Sequence, residues 1–312
     1  MAASFERSDA TFDSGGWRCA AWVYRPEGEG PFACVVLGHG WTGVREQRLD
    51  AFAERFAAEG IAAVVFDYRH FGASEGQPRQ LMDIRRQLED WTCAVAFARG
   101  LEFVDPERVA LWGTSFSGGH VQEIAASDGR LAAVIAQVPY ADGLRNLPRL
   151  GVGIALRLTR EGIRDAVGAI LGRPPHTVAS VGAPGSLAVM TSPDAEPGFR
   201  AIDPPGSTWR NEATARVLLK LTTYRPGRHA DRITAPILYV IADDDVITPP
   251  QFAQEAADRA PHSEVVRYPG GHFDLYAGAG FERTIGDQIA FLRRHLVPAA
   301  STISETPVAV SA

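Results

Sequence analysis

Two hydrophobic patterns run along this chain. Short, almost uninterrupted apolar runs recur at FACVVL (32–37), IAAVVF (61–66), VALW (109–112), LAAVIAQV (131–138), PILYVIA (236–242) and EVVRY (264–268). Runs without polar alternation suit strands buried on both faces, as in a parallel sheet. Between most of them the apolar positions step by three and four. Leu81, Ile84, Leu88, Trp91, Val95 and Ala98 share one helical face, and Phe281, Ile285, Ile289, Leu292 and Leu296 share another. The start of the chain reads differently: two alternating segments flank DSGG (13–16), which predicts a hairpin. Alternation of strand and helix then predicts a mostly parallel, doubly wound sheet with crossover helices. Ligands in such sheets bind beyond the carboxyl ends of the strands.

The rhythm stops between Pro139 and Pro236, where no strand is legible. The pattern predicts an amphipathic helix over 150–172, a turn-rich stretch over 173–207 and a further helix over 211–221. An insertion of this size, 140–235, is expected to form a mainly helical cap. The core would then be 1–139 together with 236–298. Residues 299–312 are small and polar and read as a disordered tail.

Composition narrows the partners. A chain of 312 residues with 46% hydrophobic and 22% charged residues fits a globular α/β protein. Its net charge of −6 and near absence of Lys argue against nucleic acid. No apolar run approaches the ~20 residues of a membrane span, and the first residues lack the pattern of a signal peptide. Cys19, Cys34 and Cys93 are too few and too scattered for a disulfide framework or a zinc site, so a reducing cytoplasm is the expected location. Nucleotide-binding and metal-binding spacings are absent, so neither cofactor nor metal is expected. The expected partner is a small-molecule acyl substrate, with no membrane partner; a homo-oligomer is compatible with the sequence.

The chemistry concentrates at the strand ends. In VALWGTSFSGGH (109–120), Ser115 sits between a buried strand and a helix start, with Gly113 before it and Ser117, Gly118 and Gly119 after it. A tight strand-to-helix turn with small flanks presents a serine hydroxyl above the sheet, at the helix N-terminus. Ser117 is the weaker nucleophile, because Ser115 rather than glycine stands two residues before it. A serine needs a base. Of eight histidines, His272 in RYPGGHFDLY (267–276) follows the last strand, where the base belongs when the chain order is Ser, acid, His. The acid should follow PILYVIA, in DDDVITPP (243–250); spacing leaves Asp244 and Asp245 as contenders. Oxyanion donors would be the main-chain N–H groups of Phe116 and of Trp41, the latter in the glycine-rich loop GHGWTG (38–43). DYRHFGASEGQPR (67–79) reads as a loop brace.

With GHGWTG, FDYRHFGASEG, GTSFSGGH, DDDVITPP and RYPGGHFDLY in this order, the chain resembles the α/β-hydrolase superfamily over about 32–296. It is most similar to the bacterial hydrolases grouped with fungal polyketide transferases, near the dipeptidyl-peptidase-like serine hydrolases. The resemblance implies the α/β-hydrolase fold and ester, thioester or acyl-transfer chemistry. Carried over position by position, it puts the nucleophile on Ser115, the base on His272 and the acid on Asp245, and it makes Ser117 an ordinary flank. A non-catalytic receptor on the same fold is the remote alternative. For substrate binding, the candidates are His39, Tyr140, Leu150, Ile154 and Met190. His39 also reads as a residue that hydrogen-bonds within its loop. Leu150, Ile154, Leu158, Ile163, Val167 and Met190 would form either an apolar wall or the cap's own core.

Overall fold

A computed structural model describes residues 4–297 of the chain, with the side chains of 149 and 150 left aside. The elements run β1 (Phe5–Ser14), β2 (Trp17–Pro26), β3 (Phe32–Gly38), α1 (Leu49–Ala58), β4 (Ala62–Phe66), α2 (Ile84–Arg99), β5 (Val104–Thr114), α3 (Phe116–Ala125) and β6 (Ala133–Gln137). Then follow α4 (Gly143–Asn146), α5 (Val152–Ile170), β7 (Thr177–Val181), β8 (Ala188–Met190), α6 (Ala195–Ile202), β9 (Ala213–Thr214) and α7 (Leu218–Leu221). The chain returns through β10 (Ile237–Ala242), α8 (Pro250–Arg259), β11 (Ser263–Tyr268) and α9 (Gly278–Leu296).

Among the described residues the main sheet has eight strands in the order β1-β2-β4-β3-β5-β6-β10-β11. The hairpin β1–β2 joins β4 antiparallel, and the strands from β4 onward pair in parallel. Each apolar run serves two cores, which is why it does not alternate. In β3, Cys34 and Val36 face Trp91, Val95 and Val121 of α2 and α3, whereas Val35 and Leu37 face Phe52, Phe56, Ile285 and Leu292 of α1 and α9. Cys19 and Cys34 are buried in this packing, Cys93 is half-buried, and all three are free thiols. No helix among the described residues is long and apolar enough to cross a membrane.

The insertion corrects two expectations. It is not simply helical: β7 pairs with β8 in parallel and with β9 antiparallel, a small sheet of its own. Strands of five, three and two residues are too short to leave a period-two signature. The expected helix over 211–221 resolves into β9, a 3₁₀ turn (Ala215–Val217) and the four-residue α7. Its first half is held open by partners outside the segment. Thr214 N–H donates to Gln80 O at 3.0 Å and Ala215 N–H to His176 O at 2.9 Å. The buried Asp165 carboxylate takes both the main-chain N–H and the guanidinium of Arg216, at 2.9 and 2.6 Å. The helix expected over 150–172 is α5. The expected tail, 299–312, lies outside the described residues.

Candidate active site

Ser115 joins β5 to α3 with φ 56° and ψ −120°, a conformation that a non-glycine residue adopts only under constraint. Its own backbone supplies the constraint: Ser115 N–H donates to Gln137 O at 2.9 Å, and Ser115 O accepts from Tyr140 N–H at 2.8 Å. The turn is tight enough to require Gly113, where a Cβ would lie 2.3 Å from the carbonyl oxygen of Ser117. Ser117 is more than a small flank. Its hydroxyl, fully buried, bonds Tyr68 Oη at 2.7 Å and accepts from Trp91 Nε1 at 3.2 Å, so it braces the elbow against α2.

The hydroxyl of Ser115 stands 3.0 Å from His272 Nε2, and His272 Nδ1 stands 2.6 Å from Asp245 Oδ2. All three residues are buried. The loop after β10 decides among the aspartates. Asp245 turns inward, where Oδ1 accepts from the main-chain N–H groups of Ile247 and Thr248, both at 2.8 Å. Asp243 and Asp244 are exposed: Asp243 pairs with Arg267, and Asp244 accepts from Gly270 N–H at 3.2 Å. Thr248 was not picked out by sequence reasoning. Its hydroxyl, with one proton to donate, has two acceptors in reach, Asp245 Oδ2 at 2.8 Å and Val138 O at 2.9 Å, and lies 3.2 Å from His272 Nδ1. The signal available was Asp followed three residues later by Thr, just before a helix start. Tyr276, whose ring lies tilted 6.3 Å from that of His272 and whose hydroxyl bonds Thr114 Oγ1, carried no signal.

The loop GHGWTG passes directly against the serine: a Cβ on Gly40 would lie 2.9 Å from Ser115 Cβ. Phe116 is the first residue of α3, so its N–H lacks an intrahelical acceptor. Trp41 and Phe116 pack ring to ring at 5.3 Å, and both line a cavity of about 340 Å³ that reaches Ser115. The remaining walls come from Tyr140, from Leu158 and Ala155 of α5, from Met190 at the end of β8, from Leu218 and Leu221 of α7, and from Ile247.

Two of the residues expected to bind substrate, Ile154 and His39, do not line this cavity. Ile154 is not a cavity wall, because α5 turns Ala155, Leu158 and Thr159 toward the cavity instead. His39 lines instead a smaller pocket that also reaches Ser115 and His272. Its Nδ1 pairs with Gly40 O at 3.1 Å, its ring stands edge-on to Tyr68, and burial pushes its pKa down to about 4, so it is a neutral brace of the loop. Tyr140 and Met190 do line the cavity, and the Leu150 side chain lies outside the described residues. Ile163 and Val167 are 51% and 48% exposed, neither wall nor core. The stretch 67–79 braces as expected: buried Asp67 accepts from the main-chain N–H groups of Arg45 and Ala73 at 2.8 and 3.1 Å.

The family model of the alpha/beta hydrolase family matches residues 35–284. The chain belongs to the alpha/beta hydrolase family. It is therefore an enzyme of the hydrolase class. This hydrolase is 47% identical over 290 residues to the quorum-quenching protein AidA of Acinetobacter baumannii, covering 93% of this chain and 95% of that one. It is 28% identical to the polyketide transferase claH of Penicillium crustosum, over 88% of this chain and 92% of that one. Among solved structures it is similar to the alpha/beta hydrolase GrgF from Penicillium sp. sh18, with a TM-score of 0.81 and 26% identity over 93% of this chain and 99% of that one.

Proposed function

We propose that this hydrolase cleaves a carboxylic ester or thioester through an acyl-Ser115 intermediate. The observation that carries the reading is the unbroken hydrogen-bond chain from Ser115 Oγ through His272 to Asp245, opening on an apolar cavity. His272 Nε2 takes the Ser115 proton as Oγ attacks the scissile carbonyl. It returns that proton to the departing alcohol or thiol. Asp245 holds Nδ1–H toward itself and stabilises the imidazolium. The N–H groups of Trp41 and Phe116 receive the developing oxyanion. Water activated by His272 then releases the acid. Residues 140–235 act as the cap that closes the cavity and excludes bulk water, and no metal or cofactor enters any step.

A fluorophosphonate probe read by intact mass tests the nucleophile. One adduct is expected on the wild type and on Ser117→Ala, and none on Ser115→Ala. Labelling that persists in Ser115→Ala refutes the assignment, and a wild type that never labels favours the receptor alternative. The similarity to a polyketide transferase favours a second reading, in which an alcohol or amine resolves the same acyl-enzyme. Added alcohols would then divert product from free acid to ester.

A further inference from the structure

We infer that α5 is an interfacial helix, which lays an apolar stripe and a flanking row of arginines on an anionic lipid surface beside the mouth of the cavity. At about 3.6 residues per turn, Val152, Leu156, Ile163, Val167 and Ile170 fall within an arc of about 60° and run about 27 Å along the helix. All five are exposed, Val152 by 78%, Leu156 by 66% and Ile170 by 85%. A single exposed apolar side chain needs no explanation, but five in one row form a patch of the kind that marks a contact surface.

The charges beside the stripe name what covers it. Arg157, Arg160 and Arg164 follow it along one flank, and all three are exposed. The two acids of α5 are turned away: Glu161 engages His176 at 2.7 Å, and the buried Asp165 engages Arg216 at 2.6 Å. Every exposed charge on α5 is therefore positive. A second copy would bring the same arginines to this face, with no exposed acid on its own α5 to meet them. An anionic bilayer complements both features. Its acyl boundary takes the stripe, and its phosphate oxygens take guanidinium groups in pairs of hydrogen bonds. The whole chain carries a net charge of −6, but charges farther than about 8 Å are screened at physiological salt, so the nearest row decides. The expectation of no membrane partner rested on the missing run of ~20 apolar residues, which argues against spanning a bilayer and not against lying on one.

The placement serves the cavity. Thr159, exposed at the edge of the stripe, lines it, as do Leu147 and Val246 at 37% and 45% exposure. The cavity thus opens beside the docked face, and an apolar acyl substrate held in lipid enters without crossing bulk water. That use rests on the acyl-Ser115 reading; the docking itself does not.

Flotation with vesicles of phosphatidylcholine, alone or mixed with phosphatidylglycerol, tests the inference, with thermal melting as the control for folding. The wild type is expected to float with the mixed vesicles and far less with phosphatidylcholine alone. Arg157→Gln and Arg160→Gln should each weaken binding to the mixed vesicles about fivefold. Ile163→Gln and Ile170→Gln should each weaken it about tenfold, with melting unchanged in all four variants. A wild type that floats with neither vesicle, or binding that the variants leave unchanged, overturns the inference. So does a wild type that forms a dimer which Ile163→Gln dissociates, because the stripe then belongs to a second copy. None of these outcomes touches the acyl-serine reading, which the fluorophosphonate label decides.

Discussion

Replacing Asp245 by asparagine puts the proposed base under the most direct stress. The side chain makes four hydrogen bonds: Oδ1 accepts from two main-chain N–H groups, and Oδ2 accepts from Thr248 and faces His272 Nδ1 at 2.6 Å. An amide must place its NH2 on one of these two sides. On the Oδ1 side it would oppose two donors fixed by the backbone of the loop. It therefore takes the Oδ2 side and points a donor at Nδ1. His272 then carries its proton on Nε2, 3.0 Å from the Ser115 hydroxyl, where a lone pair is needed. A wrong tautomer of this kind costs about 10⁴ in kcat, or about 5.5 kcal/mol of transition-state stabilisation. Asp244→Asn loses at most one exposed acceptor at Gly270, and its kcat is expected within about threefold of the wild type. The assay is burst and steady-state hydrolysis of p-nitrophenyl butyrate, with thermal melting as the control for folding. A kcat of Asp245→Asn within about tenfold of the wild type, or a larger loss in Asp244→Asn, would refute the reasoning.

Three further outcomes are expected from the same geometry. Leu158→Ala enlarges the cavity and should shift chain-length preference toward longer p-nitrophenyl esters, whereas Ile154→Ala should not; equal shifts would mean that α5 presents a different face. Gly113→Ala drives a Cβ into the Ser117 backbone at 2.3 Å and should cost about 3 kcal/mol or more, read from denaturant unfolding; a loss under ~1 kcal/mol would contradict the tight elbow. Burial holds the His120 imidazole down at about 3, between Tyr224 Oη at 2.6 Å and Gln87 Oε1 at 3.0 Å. The folded state therefore binds fewer protons than the unfolded one below pH 6.5, and stability falls as pH drops from there. At pH 5 this one residue costs about 2 kcal/mol, and the loss should shrink by that amount in His120→Gln. An unchanged pH slope would assign the loss elsewhere.

The strands and crossover helices were legible in the sequence because their burial is complete. A strand covered on both faces must be apolar at every position, and a helix packed on a sheet must repeat its apolar residues at three and four. Ser115 and His272 were legible for a related reason, since a strained turn admits few residue types and the order of the chain fixes where a base can come from. The small sheet in 177–214 escaped, because pairs of two to five residues are set by distant partners and not by local pattern. The same limit governs the site. Asp243, Asp244 and Asp245 are equivalent as letters, and residue-by-residue resemblance was needed to prefer one. Only the fold turns Asp245 inward onto two main-chain donors and His272 while leaving its neighbours in water. Ile154 lies outside the main cavity and His39 lines a smaller pocket beside Ser115 because loop direction and helix rotation depend on what packs behind them, which is a property of the folded chain.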